Sequence, residues 1–287
     1  MSCHASTECK TLSWSEVTPE YERRVEPFTQ LFANDVLTAL KSKIAGSGTP
    51  LELLDVGCGT GGGALLASSL GFSPIAATDV SESMVERARR RAEGSGREGI
   101  ECLACDGQNL PSEWSGRFDC AVAIFSVIFF PDPARGLQEV LRCLKPSGRV
   151  AMAAWGDRSE TPAFQIFRDA ASQVVPDLAP KGKPRRITGS KESLSALLAE
   201  AGFEHIEVIG PVTHTLLLDS PEEYYLRFAL TSPPSIEMIS KMDAKTAAAF
   251  KEKVEELAKI RGGQPDGSIA LDSSAYFAYG SKPASFL

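Results

Sequence analysis

The sequence has no apolar segment long enough to cross a membrane. Its longest apolar run, Ala121–Phe130, is interrupted by Ser126 and is shorter than the roughly 20 residues that a spanning helix needs. The N-terminal residues lack the apolar core of a signal peptide, and the final Ser-Phe-Leu differs from the peroxisomal Ser-Lys-Leu signal. We therefore expect a cytoplasmic protein with no membrane span.

Positive charge is also scarce. The 287 residues include 30 basic and 37 acidic side chains, a net charge of −7, and such a protein repels the phosphate backbone of nucleic acids. We therefore expect no nucleic-acid partner. The basic cluster Lys181, Lys183, Arg185 and Arg186 is predicted to be a solvated loop, with a small anion-binding patch beside the active site as the alternative.

The cysteines indicate neither a disulfide framework nor a metal site. They are seven, an odd number, scattered mostly through apolar strand-like runs, which predicts core thiols and a reducing compartment. Cys102 and Cys105 have the spacing of a redox or metal motif, but alternation along a strand puts them on opposite faces. Neither a second cysteine pair nor a nearby histidine completes a zinc site, so no metal is expected.

A glycine-rich turn between a strand and a helix is the most informative stretch that is present. Residues 51–56 form a short apolar run typical of a buried parallel strand, and an apolar helix stripe follows the glycines. Gly57, Gly59 and Gly61 let a ligand approach the peptide groups at a helix N-terminus. The spacing Gly57-x-Gly59-x-x-Gly62 also satisfies the dinucleotide fingerprint, so the glycines alone leave the ligand open.

Asp55 narrows the choice of ligand. A carboxylate at the end of the first strand suits an ammonium or hydroxyl group and repels a pyrophosphate. Together with it, the run Leu54-Asp55-x-Gly57-x-Gly59-x-Gly61 resembles the first motif of the class I S-adenosylmethionine-dependent methyltransferases. The resemblance implies that this loop wraps the methionine part of S-adenosylmethionine, which is the expected cofactor.

Acidic residues follow the next two predicted strands as well. Asp79 lies about twenty residues beyond the glycines, where a carboxylate can accept both hydroxyl protons of a ribose, in NAD and S-adenosylmethionine alike. By the resemblance, Asp106 accepts the adenine amino hydrogens, which the nicotinamide fingerprint does not require. The other cofactor-site residues that the resemblance implies are Val80, Met84, Gly107, Ile124, Phe125 and Ser126.

A second motif that resembles the same family precedes the fifth predicted strand. The run Leu144-Lys-Pro-Ser-Gly resembles the family's Leu-Lys-Pro-Gly-Gly turn, with Ser147 in place of the first glycine, and Gly148 is predicted to supply the flexible position. Strands that alternate with helices predict an α/β fold, a doubly wound and mostly parallel sheet of seven strands. The last strand, over residues 268–280, is predicted to be antiparallel.

The N-terminal 50 residues are predicted to combine a loose tail with helices. The helical pattern begins at Thr18-Pro19 and is broken at Pro27. In the resembling family such helices lie over the cofactor site and help to form the substrate pocket. Trp14 and Tyr21 are therefore pocket candidates, although ordinary packing is an equally good interpretation of both.

Residues 51–287 are predicted to form the methyltransferase domain, with a helical cap insertion at about 219–266. One long helix over 236–260 belongs to this insertion. The remaining candidates for lining the substrate pocket are Phe129, Tyr224 and Tyr225.

The leading functional hypothesis is an S-adenosylmethionine-dependent methyltransferase with a small organic acceptor, methylated on O, N or S before C. The resemblance is to the ubiquinone-biosynthesis-type branch. Such an enzyme chiefly positions its acceptor and excludes water, so no catalytic residue is assigned. His205, His214 and Tyr21 are candidate bases, for each of which a structural role is the better interpretation. An NAD(P)-dependent oxidoreductase and a non-catalytic protein that kept the cofactor fold are the alternatives. The acceptor and the oligomeric state do not follow from the sequence.

Overall fold

The computed structural model describes residues 14–44, 49–179 and 189–284, except for the side chains of residues 15 and 16. The predictions for the N-terminal tail and for the basic cluster at 181–186 lie outside these residues. The strands are β1 (Leu51–Val56), β2 (Phe72–Asp79), β3 (Ile100–Ala104), β4 (Phe118–Ile124), β5 (Leu144–Trp155), β6 (Glu204–Leu218) and β7 (Ile269–Ser281). The helices are α1 (Trp14–Arg24), α2 (Glu26–Lys43), α3 (Gly62–Ser69), α4 (Glu82–Gly94), α5 (Pro133–Cys143), α6 (Pro162–Val174), α7 (Lys191–Glu200), α8 (Pro221–Thr231), α9 (Pro233–Ser240) and α10 (Ala244–Gly262).

The seven strands form one sheet in the order β3-β2-β1-β4-β5-β7-β6. Strands β1 to β5 pair in parallel, and β7 runs antiparallel to both of its neighbours. This confirms the predicted seven-stranded, mostly parallel α/β fold. The strand order reverses between β1 and β4, and folds of this kind bind ligands in the crevice at the carboxyl ends of the strands where the order reverses. Asp55 lies at that end of β1.

Buried side chains form a core on each face of the sheet, because successive residues of a strand point to opposite faces. Leu53 belongs to the core completed by α2, α3, α6 and α10, whereas Leu54 belongs to the one completed by α5 and α7. Cys102 and Cys105 pack against opposite cores, which confirms that they do not form a pair. Within the described ranges, no helix combines the length and the apolar character that a bilayer crossing requires.

The N-terminal helical pattern begins earlier than predicted. Helix α1 starts at Trp14, so Pro19 lies inside it and does not occupy its first position. The predicted cap, Thr18, instead places its hydroxyl 3.2 Å from the Trp14 carbonyl and 2.8 Å from the Ser83 hydroxyl of α4. Tertiary contact with α4 therefore outweighs the local capping signal. The break near Pro27 is confirmed, because α2 begins at Glu26 with this proline in its first turn.

The single helix predicted over 236–260 is wrong, because two helices occupy this region. Helix α9 ends at Ser240, and α10 begins at Ala244. Asp243 caps α10 by accepting the N–H of Thr246 at 2.7 Å, as aspartate commonly does at a helix start. The prediction of a single helix followed from the continuing apolar pattern and did not include this cap.

The turn that precedes the main part of β5 corrects the role predicted for Gly148. Ser147, not Gly148, has its φ in the left-handed region, at +63°. Gly148 is needed for space, because a Cβ there would lie 2.8 Å from the Lys145 carbonyl oxygen. The serine therefore occupies a conformation in which a side chain is strained.

We expect Ser147→Gly to stabilise the protein. The exchange removes the left-handed strain, and the free energy of unfolding should rise by about 1 kcal/mol, measured by denaturant unfolding. Ser172→Gly is the matched control: Ser172 is exposed within α6, where glycine should lower stability by about 0.5–1 kcal/mol. Equal losses at the two positions would contradict the strain at Ser147.

Candidate functional site

The glycine turn joins β1 to α3. Gly57, Gly59 and Gly61 have φ angles of +72°, +54° and +85°, a region in which glycine alone is free of steric strain. The N–H groups of Gly57 and Cys58 donate to the Thr78 carbonyl at 2.7 and 2.8 Å. These bonds fix the turn against the carboxyl end of β2.

Two carboxylates meet beside the turn. Asp79 accepts hydrogen bonds from the N–H groups of Gly59 and Ser81, each at 3.0 Å. Asp55 is 3% exposed, and its Oδ2 has no hydrogen-bond partner among the described residues. The arrangement favours a ligand group that is positively charged or that donates a hydrogen bond to Asp55.

The protonation behaviour of both carboxyl groups follows from burial. Loss of solvation, with repulsion from Asp79 adding to it, raises the pKa of Asp55 to about 7. Burial also raises the pKa of Asp79, whereas its bonds from the Ser81 and Gly59 N–H groups act in the opposite direction. A bound cation would lower both pKa values, because it stabilises the charged form.

The other residues predicted for the nucleoside end are two exposed residues, Val80 and Asp106, and two buried ones, Met84 and Gly107. Val80 is 66% exposed directly after Asp79, whereas Met84 is buried within α4. Asp106 follows β3 and is exposed, and its Oδ1 accepts the N–H of Gln108 at 2.8 Å. Gly107 is buried against Phe130 and Val56; a Cβ there would lie 2.5 Å from the Phe130 ring.

The end of β4 forms the opposite side of the turn. Ser126 donates to the Val56 carbonyl at 2.6 Å, and its Cβ lies 2.3 Å from the place of a Cβ on Gly57. Phe125 stacks on Trp155 with ring centres 3.8 Å apart. The structure therefore brings Ser126 to the turn and places Phe125 beside Trp155, and Ile124 lines the cavity next to the turn.

A cavity of ≈ 40 Å³ lies between the turn and the N-terminal helices. Tyr21 covers it: a Cβ on Gly59 would be 3.5 Å from the edge of the Tyr21 ring. Burial, followed by the charges of Glu26 and Asp79, raises the pKa of Tyr21 to about 12. The residues that line the cavity are Tyr21, Glu26, Thr29, Gln30, Ala33, Asp55, Gly57, Cys58, Thr60, Gly62, Gly63 and Ile124.

An ion-paired glutamate at the turn was not found by sequence reasoning. Glu26 of α2 is 6% exposed and accepts hydrogen bonds from Arg91 of α4, at 2.8 and 2.7 Å, and from the Thr60 hydroxyl. A Cβ on Gly62 would lie 1.8 Å from the Glu26 carboxylate. No local sequence signal joins residues so far apart in the chain.

Three of the predicted pocket aromatics lie together. The Trp14 ring meets the Phe129 ring edge-on at 5.2 Å and the Tyr21 ring at 6.3 Å. Tyr224 and Tyr225 do not join them. The Tyr224 side chain is fully buried, with its hydroxyl donating to the Ala163 carbonyl, and Tyr225 packs near Phe250.

The two candidate histidine bases lie away from the turn. His205 is exposed at the start of β6, which pairs with the end of β7. His214 has its Nε2 2.7 Å from Asp35 Oδ2 and meets the Phe32 ring edge-on. Neither histidine lines the cavity beside Asp55.

Comparisons with known proteins agree with this geometry. Residues 54–152 match a family model described as a methyltransferase domain. A demethylmenaquinone methyltransferase of Clavibacter sepedonicus is 29% identical over 171 residues, 54% of this chain and 66% of that protein, so the match spans just under two thirds of this relative. The O-methyltransferase rstn1 of Aspergillus nomiae is 29% identical over 192 residues, 66% of this chain and 78% of that protein. The solved YcgJ protein of Bacillus subtilis shares the fold, with a TM-score of 0.57 at 18% identity over 87% of this chain and 98% of that one.

We expect Asp55→Asn to stabilise the ligand-free protein increasingly as the pH rises. The raised pKa of Asp55 means that the folded state binds more protons than the unfolded state between about pH 4 and pH 7, so stability is lost as the pH rises through this window. Asparagine removes that loss. Thermal unfolding at pH 5, 6, 7 and 8 should show a growing gain in Tm for the variant.

Glu237→Gln is the control for this experiment, because Glu237 lies on the exposed side of α9. Its Tm difference from the unsubstituted protein should not grow in the same way. A gain for Asp55→Asn that is independent of pH would contradict the assignment of a raised pKa to this group.

Proposed function

The chain belongs to the class I S-adenosylmethionine-dependent methyltransferases, with S-adenosylmethionine as its cofactor, and from this premise we propose that it methylates a small organic acceptor. The observation that carries the proposal is the buried Asp55 carboxylate, whose Oδ2 has no partner among the described residues. A cofactor with an ammonium and a sulfonium group compensates this charge, whereas a dinucleotide pyrophosphate would be repelled. The oxidoreductase alternative is therefore not retained.

We assign the cofactor contacts as follows. The glycine turn and Asp55 would hold the methionine part, and Asp79 would accept the ribose hydroxyls through lone pairs that its two N–H bonds leave free. Val80 offers an exposed apolar surface for adenine, and Asp106 is exposed to accept the adenine amino hydrogens. Met84 and Gly107 are both buried and would form the packed layer beneath the nucleoside part of the cofactor.

When bound, S-adenosylmethionine supplies a methyl group on a positively charged sulfur. The remaining task of the protein is to hold the acceptor in line with that group and to exclude water. Phe125 and Trp155, stacked at the end of β4, provide an apolar wall for this purpose. Tyr21 stays protonated at neutral pH because its pKa is raised to about 12, so it can orient an acceptor by donating a hydrogen bond but does not serve as a base.

The acceptor is proposed to enter between the N-terminal helices and residues 219–266, which include α8, α9 and α10. Trp14, Tyr21 and Phe129 offer aromatic surface on this side, which suits an apolar body with O, N or S as the methylated atom. We therefore retain the cap role for residues 219–266 and withdraw Tyr224 from the pocket, because its side chain is fully buried.

The proposal is tested by titrating the full chain with S-adenosylhomocysteine and NADH, and by incubating it with S-adenosylmethionine and a panel of phenols, amines and thiols. We expect S-adenosylhomocysteine to bind, NADH to fail, and mass spectrometry to find a methylated acceptor. Binding without transfer to any member of the panel would favour a non-catalytic cofactor-binding protein.

We expect Gly59→Val to abolish cofactor binding, since the side chain would fill the space between the turn and Tyr21. Gly96→Val is a matched control: Gly96 has a similar φ of +66° but has no atom near its Cβ position. Both variants carry the same kind of backbone strain, so calorimetric titration should separate loss of the site from loss of stability. Equal affinities for S-adenosylhomocysteine in the two variants would refute the assignment of the turn.

Cofactor affinity should also depend on pH through Asp55. Binding of a cation lowers the pKa of Asp55 from about 7, so binding at lower pH must release a proton. The affinity for S-adenosylmethionine should rise about tenfold between pH 5.5 and pH 7 and then level off. Calorimetry in buffers of different ionisation enthalpy measures the released proton, and Asp55→Asn should remove both the release and the slope.

A further inference from the structure

Arg227 of α8 is a buried cation for which the described part of the chain supplies no counter-ion. The residue is 4% exposed, and among residues 14–44, 49–179 and 189–284, apart from the two undescribed side chains, no carboxylate forms an ion pair with it. Burial lowers its pKa to about 10, which still leaves it charged at neutral pH. Unpaired buried charges are strongly unfavourable and are rare unless a partner arrives from elsewhere.

A neighbouring arginine shows the usual arrangement. Arg24 of α1 pairs with Glu20 on its own helix and with Glu223 of α8. The contact between α1 and α8 therefore already has a compensated ion pair, and Arg227 is not needed to make it. Arg227 differs from Arg24 in lacking an acid among the described residues, although it is the more deeply buried of the two.

The surroundings of Arg227 are aromatic and neutral. Its guanidinium carbon lies 5.4 Å from the centre of the Phe28 ring, a distance at which a cation is attracted to a ring face. Tyr21 and Tyr224 are close enough for their charges to affect its pKa. The pKa values of both phenols are raised by burial, so both are neutral at pH 7 and neither compensates the guanidinium.

Arg227 is joined to the proposed cofactor site by aromatic side chains. Tyr21 lies against the turn at Gly59 and also near Arg227. Phe28 lies parallel to Trp155 with ring centres 6.1 Å apart, and Trp155 stacks on Phe125 at the end of β4. Tyr21 and the aromatic row of Phe28, Trp155 and Phe125 therefore connect Arg227 with the turn beside Asp55 and Asp79.

We propose that the methyl acceptor is a small organic acid whose carboxylate pairs with Arg227; this rests on the methyltransferase function proposed above. A guanidinium can bind a carboxylate through two parallel hydrogen bonds, and its preference is strengthened where water is excluded. One guanidinium balances one negative charge. A phosphate dianion would leave one negative charge uncompensated beside this buried guanidinium, so the single arginine favours the carboxylate.

The test compares acids with neutral molecules of the same shape. Hydroxy-, amino- and mercapto-benzoates and phenylacetates are titrated against the full chain saturated with S-adenosylhomocysteine, beside their primary amides and the corresponding phosphonates. We expect at least one acid to bind ten times more tightly than its amide. Methyl transfer to the same molecules is measured separately.

Arg227→Met distinguishes a ligand-binding arginine from a structural one. Methionine has a similar length and carries no charge, so this variant should raise the Tm of the ligand-free protein and reduce the acid-to-amide ratio to about one, with S-adenosylhomocysteine affinity within twofold of the original. Arg227→Lys should keep part of the ratio, because the charge remains but the paired hydrogen bonds do not. Arg24→Met is the control and should lower Tm while the ratio stays unchanged.

Several results would overturn the proposal. These are equal binding of acids and amides, failure of every acid to bind, tighter binding of the phosphonates, or a ratio that survives in Arg227→Met. Methyl transfer to neutral acceptors, together with an acid-to-amide binding ratio of one, would refute the role of Arg227 but leave the proposed function intact. Absence of both cofactor binding and transfer would instead remove the proposed function.

Discussion

Negative charge held out of water at the carboxyl ends of β1 and β2 is the constraint on which the site depends. The parallel register sets Asp55 opposite Ala77, so the ends of the two strands, and the two carboxylates, must lie close together. Neither charge can move away without disrupting the sheet. The electrostatic consequence is the raised pKa of Asp55. A cationic ligand would stabilise the ionised carboxylate, for which the described residues supply no partner at Oδ2.

Buried charged side chains differ in whether other residues of the protein satisfy them, and this difference distinguishes structural groups from candidate ligand-binding groups. Glu26 is nearly as buried as Asp55, but Arg91 and Thr60 satisfy its carboxylate. This pairing links α2, the turn and α4, and it accounts for the glycine at 62, where a side chain would collide with Glu26. Asp55 Oδ2 has no such partner in the described part of the chain, and burial alone would not have distinguished these two acids.

The parts of the fold that depend on nearby residues were predictable from the sequence. Apolar runs ending in Asp55, Asp79 and Asp106 locate three strands, and parallel pairing then places their ends on one edge. The left-handed position in the turn before β5 was assigned to Gly148 because glycine is the usual residue there, but Ser147 occupies it. Glycine is needed at 148 for a different reason, the close approach of the Lys145 carbonyl.

Contacts between distant parts of the chain were not predictable. Arg91 binds Glu26, which lies 65 positions away in the chain. The surroundings of Arg227 are formed by Phe28 and Tyr21 of the N-terminal helices. In the sequence Arg227 is one basic residue in an amphipathic helix, where a solvated position would be the ordinary expectation. Its burial arises because α8 packs against α1, and no periodic pattern within α8 reveals this.

The opposite charges also bear on how methyl transfer can proceed without an assigned base. The acid acceptor proposed above would have one favourable orientation, because Asp55 and Asp79 would repel its carboxylate and Arg227 would attract it. Orientation alone can supply a large part of the rate of an in-line displacement. His205 and His214 lie away from the cavity lining, and Tyr21 is a neutral phenol. In the reaction proposed above, the contribution of these charges is therefore positioning of the acceptor and not proton removal by a histidine.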